Sequence, residues 1–222
     1  TGQEVPDSGE IKVGPTVHLG YVDQSRDSLN DKNGNKRVIN EEFSRDRGAI
    51  LLGDEPVAGR VPSDDEFPFQ RRYTDRQLYA PVTGYFSYVF GRGGLENSQN
   101  RVLSGSDNRL FVNRVVDLLS NKQPKGGSVE TTLDPLAQKV AASGLESLGK
   151  NTKGAVVALD PSTGAILAMV TQPSYNPNVL ASHDFSEVDD DWQRLTTDED
   201  QPMLNRGTQQ ILPPGSTFKL VT

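Results

Sequence analysis

Cysteine is absent from the sequence, and histidine occurs only twice, at His18 and His183. The absence of cysteine excludes disulfide bonds, thiolate metal sites and cysteine nucleophiles. Two histidines do not favour a histidine-based metal site or a catalytic triad that uses histidine. We therefore expect neither a metal nor an organic cofactor.

Positive charge and long apolar runs are also scarce. The 23 Lys and Arg residues are outnumbered by 30 Asp and Glu residues, which gives a net charge of −7. A nucleic-acid-binding domain usually carries a basic stripe, so we expect no nucleic-acid partner. No segment approaches the roughly 18 consecutive apolar residues of a membrane-spanning helix, and no signal-peptide pattern is present.

Apolar residues make up 34% of the 222 residues, which is enough for a packed core in one or two domains. Short apolar runs broken by Gly and Pro in residues 36–66 predict strands and turns, and the aromatic stretch 78–91 is β-prone. The composition of residues 121–127 is typical of a linker. We therefore predict two domains, 1–125 and 126–222.

The pattern changes at the start of the second domain. Residues 128–133 predict a strand, followed by a helix with Asp134 as its N-cap and Pro135 at the first helical position. Two apolar runs around a Pro-Gly turn in 155–170 predict a hairpin, and the acidic segment 183–200 predicts an exposed surface. We predict an α+β fold: an elongated β-rich N-terminal domain, then the start of a sheet with helices packed on it. Two further expected elements are a strand at 16–22 and a helix at 108–120.

The segment PPGSTFK, residues 213–219, carries the candidate chemistry. Its prolines stop the preceding structure and Gly215 permits a tight turn, so Ser216 falls at the start of a predicted helix. Unpaired backbone N–H groups at a helix start can stabilise an oxyanion. Lys219 lies one turn later on the same face, where a neutral amine can accept the serine proton. Ser216 and Lys219 are therefore the candidate nucleophile and base.

A serine followed by a lysine three residues later is a common spacing, and the chain contains a second pair, Ser147 and Lys150. That pair lies at a predicted helix end beside Gly149, and we interpret it as capping and surface charge. Near matches to a phosphate-binding loop at 144–151 and to a calcium-binding loop at 31–42 lack required residues. We interpret them as a helix end and a polar turn.

Several other motifs occur around PPGSTFK, in an order that is specific. They are RDRGAI (45–50), LYAPVTGYFS (78–87), TTLDPLAQ (131–138), GAVVALDPSTGAILAMVTQPSYNPN (154–178) and MLNRGTQQIL (203–212). With these motifs the chain resembles a class B penicillin-binding protein, and most closely its A type, over about residues 36–222. Many members of that family have alanine where Gly207 stands.

The resemblance implies a D,D-transpeptidase that crosslinks peptidoglycan stem peptides. In that scheme Ser216 is acylated by a D-Ala-D-Ala donor, or irreversibly by a β-lactam, and Lys219 is the base. It also implies the extracytoplasmic face of the bacterial cell membrane, with a membrane glycosyltransferase and division or elongation proteins as further candidate partners. We interpret Arg47 as part of a structural ion pair and Trp192 as a packing anchor.

Two further motifs of the family, S-x-N and K-[ST]-G, follow the nucleophile in its members but do not occur after Lys219 here. We therefore expect the N-terminal domain and the first part of a catalytic domain, without the membrane anchor. Similar strings at Ser28, Ser98, Ser106 and Lys125 stand in the wrong order for catalysis. Two alternatives remain open: a non-catalytic scaffold that docks cell-wall proteins, and a β-lactam sensor, carboxypeptidase or esterase with the same Ser-Lys chemistry.

Overall fold

The computed structural model describes residues 34–107, 125–149, 151–213 and 215–220. The strand expected at 16–22 and the helix expected at 108–120 lie outside the described residues. Contacts divide the chain into two compact units, residues 1–41 and 42–222. The larger unit holds the strands of the described part and the candidate nucleophile.

Helices and strands are interspersed along the described chain. The α-helices are α1 (Gly34–Phe43), α2 (Ala80–Thr83), α3 (Gly94–Ser98), α4 (Asn100–Leu103), α5 (Pro135–Ser147), α6 (Phe185–Thr197) and α7 (Arg206–Gln209). The strands are β1 (Ile50–Leu52), β2 (Glu55–Pro62), β3 (Phe69–Tyr73), β4 (Phe86–Ser87), β5 (Gly91–Arg92), β6 (Val129–Thr131), β7 (Gly154–Leu159) and β8 (Ile166–Gln172). Two 3-10 helices span Pro177–Val179 and Gly215–Leu220. Within the described ranges, no helix combines the length and the apolar content needed to cross a bilayer.

A four-stranded sheet has the order β3-β2-β1-β6. Strand β1 pairs antiparallel with β2 and parallel with β6, where Ile50 lies opposite Val129. Strand β6 therefore completes a sheet whose other strands precede the predicted linker. The mixture of helices and sheets confirms the α+β class, while the division into domains 1–125 and 126–222 remains a prediction.

Two segments for which the sequence predicts only strands and turns also contain helices. The expectation of strands and turns for 36–66 is confirmed at β1 and β2, but it is wrong at the start of that range, which belongs to α1. Lys, Arg and Glu are good helix formers, and α1 contains no proline. The stretch 78–91 likewise contains α2 besides its short strands, because Pro81 suits the first turn of a helix.

The hairpin expected at 155–170 is confirmed by β7 and β8, which pair antiparallel from Gly154 opposite Gln172 to Leu159 opposite Ile166. Met169 belongs to a run of buried residues on β8. The hairpin is the platform on which α5 and the segment before the candidate nucleophile are positioned.

Helix α5 begins as predicted, because the Asp134 side chain accepts a hydrogen bond from Ala137 N at 2.7 Å. Gln138 on this helix is completely buried. Its side-chain amide donates to Met169 O and accepts from Met169 N, both at 2.9 Å, and donates to Leu78 O at 2.9 Å. One side chain therefore satisfies three backbone groups that would otherwise be buried without partners.

Replacing Gln138 with alanine is expected to lower the free energy of unfolding by about 2–4 kcal/mol, because three backbone groups lose their hydrogen bonds. Urea unfolding followed by circular dichroism measures the change. Gln193→Ala, at an exposed position of α6, is the matched control and should change stability by less than about 0.5 kcal/mol. Equal effects of the two substitutions would contradict the role of Gln138.

Helix α6 accounts for the acidic segment 183–200. Asp184 caps this helix by accepting hydrogen bonds from the backbone N–H groups of Ser186 and Glu187. One face buries Val188 and Leu195, while most of the acidic side chains are exposed. The exposed acidic surface is confirmed, and the buried stripe adds a packing role that the sequence analysis missed.

Trp192 lies on the same helix and is surrounded by aromatic rings. It stacks on Phe90 with ring centroids 4.2 Å apart and meets Tyr85 edge-on at 5.8 Å. Aromatic pairs of this geometry stabilise a core beyond the area that they bury. The interpretation of Trp192 as a packing anchor is confirmed.

The RDRGAI motif contributes to a buried ion cluster. Arg47 Nε lies 2.8 Å from Glu96 Oε2, and Arg71 Nε lies 2.6 Å from Glu96 Oε1. Glu96 has no exposed surface, and each arginine is 5% exposed. The next motif residue, Gly48, is required by close backbone approach, because a Cβ there would lie 1.9 Å from Gly127 O. The interpretation of Arg47 as a structural ion-pair residue is confirmed.

A side-chain pair connects the loop after β2 with the segment before α6. Asp65 Oδ2 lies 2.7 Å from His183 Nδ1, and the Asp65 carboxylate also accepts hydrogen bonds from Phe67 N at 2.9 Å and Ser63 Oγ at 2.7 Å. The Phe67 backbone N–H, followed by the His183 and Ser63 side chains, lowers the pKa of Asp65 to about 2.

Protonation of Asp65 is expected to reduce stability in acid. Because its folded-state pKa of about 2 lies below the ordinary value of 3.8, its contribution is present above the ordinary pKa and is lost as the pH falls toward 2. The difference in urea midpoint between the unmodified chain and Asp65→Asn should therefore be larger at about pH 5 than at about pH 2. Asp190→Asn, at an exposed position of α6, controls for the loss of one surface carboxylate. A difference for Asp65→Asn that is independent of pH would contradict the expectation.

Candidate active site

The segment that leads to the candidate nucleophile is anchored on strand β8. Thr171 Oγ1 accepts a hydrogen bond from Arg206 N at 3.2 Å. The Arg206 guanidinium is buried and donates to the backbone carbonyls of Gln201, at 3.2 Å, and Asp200. An arginine has five N–H donors, so a single buried side chain can hold several carbonyls of the preceding turn.

Asn205 starts the short helix α7 and ties it to an earlier part of the chain. Its side-chain oxygen accepts from Gly207 N at 3.1 Å, and its side-chain amide donates to Pro81 O at 2.9 Å. Gly207 faces the hairpin, since a Cβ at this position would lie 2.9 Å from Val157 Cγ2. An alanine at 207 would therefore require Val157 to shift.

Ser216 and Lys219 lie on the 3-10 helix Gly215–Leu220. Gly215 has a φ of 55°, in the left-handed region that glycine adopts without strain. The predicted turn and helix start are thus confirmed, with 3-10 rather than α geometry. Because residues three apart in a 3-10 helix lie on the same edge, Ser216 and Lys219 share one edge of it.

Both candidate catalytic residues are exposed, as are the large apolar residues near them. The exposed fractions are 97% for Ile211, 68% for Leu212 and 54% for Phe218. Among the described residues, none hydrogen-bonds to the Ser216 hydroxyl or the Lys219 amine. The roles of Ser216 as nucleophile and Lys219 as base remain predictions.

The upstream strings that resemble the S-x-N and K-[ST]-G motifs lie in segments with their own local contacts. Ser98 ends α3, Ser106 Oγ lies 2.9 Å from Ser104 Oγ, and Lys125 Nζ lies 3.8 Å from an Asp46 carboxylate oxygen. The string at 28–30 lies outside the described residues. The interpretation that the strings have no catalytic role stays a prediction.

Three residues that position the nucleophile segment escaped the sequence analysis: Thr171, Asn205 and Arg206. Asn205 had a recognisable signal, because asparagine is a preferred N-cap residue. Arg206 and Thr171 had none, since their contact joins residues 35 positions apart and depends on how the hairpin folds.

Two family models match the chain. The model described as the penicillin binding protein A dimerisation domain matches residues 47–129, and the penicillin binding protein transpeptidase domain matches residues 154–222. Peptidoglycan D,D-transpeptidase PbpA of Mycolicibacterium smegmatis is 44% identical over 197 residues, which are 88% of this chain and 40% of that protein. Peptidoglycan D,D-transpeptidase MrdA of Escherichia coli is 36% identical over 171 residues, 73% of this chain and 25% of that protein.

Solved structures agree with the sequence matches. The ceftriaxone acyl-enzyme complex of penicillin-binding protein A from M. tuberculosis has a TM-score of 0.79 at 43% identity, covering 82% of this chain and 41% of that one. The penicillin G acyl-enzyme complex of the same protein has a TM-score of 0.77 at 43% identity, covering 80% and 41% of the two chains.

By fold and by sequence, the chain belongs to the penicillin-binding protein family, and the relatives that it matches include proteins of the A type. The resemblance read from the motifs is therefore confirmed. The chain spans about 40% of the length of the PbpA relatives that it matches.

Proposed function

We propose that the chain is part of a peptidoglycan D,D-transpeptidase whose acyl-enzyme forms on Ser216. The supporting observation is that Ser216 and Lys219 share one edge of a short helix, inside the segment that matches the transpeptidase domain. The M. tuberculosis relative is described as an acyl-enzyme complex with ceftriaxone, with imipenem and with penicillin G. A serine ester is the acyl-enzyme that a Ser-Lys pair would form.

The proposed reaction has two transfers. Ser216 Oγ attacks the carbonyl carbon of the D-Ala-D-Ala bond while neutral Lys219 Nζ takes the hydroxyl proton. The Ser216 backbone N–H donates to the developing oxyanion. The C–N bond then breaks, the lysine returns the proton to the leaving amine, and D-alanine departs. An acceptor amine then attacks the carbonyl carbon of the serine ester, and the bond to Ser216 Oγ breaks. Lys219 passes the proton of the attacking amine to Ser216 Oγ, and the new amide bond is the crosslink. Ser216 attacks the carbonyl carbon of a β-lactam in the same way. Because the C–N bond that breaks belongs to the ring, the amine stays attached to the acyl group.

The two ends of the chain are proposed to have different tasks. Residues 1–125 form a non-catalytic domain of the dimerisation type, supported by the family match at 47–129, and residues 126–222 form the start of the transpeptidase domain. Peptidoglycan stem peptides lie outside the cytoplasm, so we propose a location at the extracytoplasmic face of the cell membrane. A membrane glycosyltransferase and division or elongation proteins are the further proposed partners.

The test uses a protein in which this chain is followed by the S-x-N and K-[ST]-G motifs of the family. It is incubated with a D-Ala-D-Ala stem peptide and a labelled amine acceptor, and the products are identified by mass spectrometry. Transfer to the labelled amine is the expected result. Transfer of the acyl group to water, with none to the labelled amine, would identify a carboxypeptidase. The absence of any acyl-enzyme would favour a scaffold.

A further inference from the structure

Three side chains from later in the chain donate hydrogen bonds to backbone carbonyls of one short segment, residues 77–81. The pairs are Ser174 Oγ with Gln77 O at 2.8 Å, Gln138 Nε2 with Leu78 O at 2.9 Å, and Asn205 Nδ2 with Pro81 O at 2.9 Å. The segment lies in the part that matches the dimerisation domain, while Asn205 lies in the part that matches the transpeptidase domain. Of the three donors, only Asn205 lies on the segment that leads to Ser216.

The acceptor of the Asn205 amide belongs to a well-packed element. Ala80 and Thr83 of α2 are almost completely buried, with exposed fractions of 2% and 1%. Pro81 O lies in the last turn of this four-residue helix, where backbone carbonyls lack partners within the helix. The Asn205 amide supplies the missing donor, so the hydrogen bond joins two groups that are each fixed by their surroundings.

Asn205 also fixes the first turn of α7. Its backbone carbonyl accepts from Thr208 N at 3.1 Å and from Gln209 N at 2.8 Å, and its own N–H donates to Gln209 Oε1 at 3.0 Å. The described residues that follow α7, 210–213, are exposed. With its buried Arg206, α7 is therefore the last packed element before Ser216 in the described part of the chain.

We propose that Asn205 is a positioning residue for acylation, because the hydrogen bond from its side-chain amide makes the placement of Ser216 depend on α2. The inference rests on the proposed function, in which Ser216 Oγ attacks a carbonyl carbon. Such an attack needs the reacting atoms about 3–3.5 Å apart and aligned, and a displacement of about 1 Å can lower the rate about 10²-fold. Loss of the bond to Pro81 O lets α7 move relative to α2, which displaces the serine without unfolding the protein.

Asn205→Asp separates the two tasks of this side chain. Aspartate caps a helix as well as asparagine does, so the hydrogen bond from Gly207 N is kept. An ionised carboxylate has no N–H, so the hydrogen bond to Pro81 O is lost and two oxygens face each other. Capping alone predicts an unchanged acylation rate, whereas positioning through Pro81 predicts a slower one.

Asn178 provides a chemically matched control. Its side-chain oxygen accepts from Tyr73 N at 2.9 Å and its amide donates to Tyr73 O at 3.0 Å, which ties the 3-10 helix Pro177–Val179 to strand β3. Asn178→Asp therefore removes the same kind of long-range donor from a residue that does not lie on the nucleophile segment. Both variants should lose some stability, but only Asn205→Asp should change the acylation rate.

The measurement is the time course of acylation by penicillin G, followed by intact mass spectrometry in a protein where this chain is followed by the S-x-N and K-[ST]-G motifs. We expect Asn205→Asp to lower the maximal acylation rate constant about 10- to 100-fold, while the penicillin concentration that gives half of that rate changes little. Asn178→Asp should react at the rate of the unmodified protein. A purely structural role would instead lower the final amount of adduct, because part of the protein would be unfolded.

A second variant covers the case in which Asn205→Asp folds poorly. Asn205→Ser can still cap α7, but its hydroxyl is too short to reach Pro81 O, so the same loss of rate is expected. An unchanged rate in the folded Asn205 variants, or an equal loss in Asn178→Asp, would overturn the inference and leave the proposed function in place. No acylation of the unmodified protein would overturn the proposed function together with this inference.

Discussion

Replacing Ser216 with alanine is expected to abolish covalent modification by penicillin G in a protein where this chain is followed by the two remaining family motifs. The reason is that the acyl bond would form on the Ser216 oxygen, which the substitution removes. Intact mass spectrometry after incubation with penicillin G measures the adduct. Lys219→Ala should leave a detectable but slow reaction, with an acylation rate lower by about 10²–10⁴-fold, as is usual when a general base is lost.

The second Ser-x-x-Lys pair supplies the matched control for this experiment. Ser147 Oγ donates to Gly144 O at 2.7 Å within α5, so its hydroxyl is engaged in its own helix. Ser147→Ala should therefore be acylated like the unmodified protein. Because Ser216 and Lys219 are both exposed, their substitution should change the free energy of unfolding by less than about 0.5 kcal/mol. Retention of the adduct in Ser216→Ala, or its loss in Ser147→Ala, would contradict the proposed nucleophile.

Replacing Glu96 with glutamine is expected to lower the free energy of unfolding by about 3–5 kcal/mol, the cost of breaking a buried ion pair by removing one partner. The substitution keeps the size of the side chain but removes the charge shared by Arg47 and Arg71. Burial lowers the pKa of Arg47, and the neighbouring Glu96 carboxylate opposes that effect. Glutamine keeps one acceptor oxygen, so the NH2 group that replaces the other oxygen faces a donor. At the Oε2 position that donor is Arg47 Nε, and at the Oε1 position the donors are Arg71 Nε and the Tyr73 hydroxyl.

An exposed ion pair provides the comparison. Asp191 pairs with Arg194 on the surface of α6, where the arginine side chain is 61% exposed. Asp191→Asn should cost less than about 1 kcal/mol, because exposed pairs are well solvated and screened. Urea unfolding of both variants at neutral pH measures the difference. If Glu96→Gln cost no more than Asp191→Asn, the cluster would not be an element of stability.

The parts of the fold that local sequence determines were predicted well. The cap of α5 at Asp134, the β7–β8 hairpin and the turn at Gly215 depend on residues close together in the chain, and each has the expected form. Helix α1 was missed because its mixed pattern does not distinguish a polar helix from strands and turns. Short elements such as α2 depend on packing as much as on their own residues.

The candidate site shows the same division. Ser216 and Lys219 could be identified from the sequence because their spacing and the glycine before them are local features. The groups that hold the segment in place could not, because Asn205 bonds to Pro81, 124 residues away, and Arg206 depends on Thr171 of β8.

By itself, the sequence determined the family, the α+β class and the two residues of the candidate Ser-Lys pair, because each is encoded in short ordered motifs. Only the tertiary structure decided that Glu96 is the partner of Arg47, 49 positions away, and that strand β6 joins the N-terminal sheet. The physical reason is that hydrogen bonds, ion pairs and strand pairing between distant residues depend on the path of the whole chain. Neighbouring residues determine the local backbone conformation, but they do not determine which distant part of the chain they will contact.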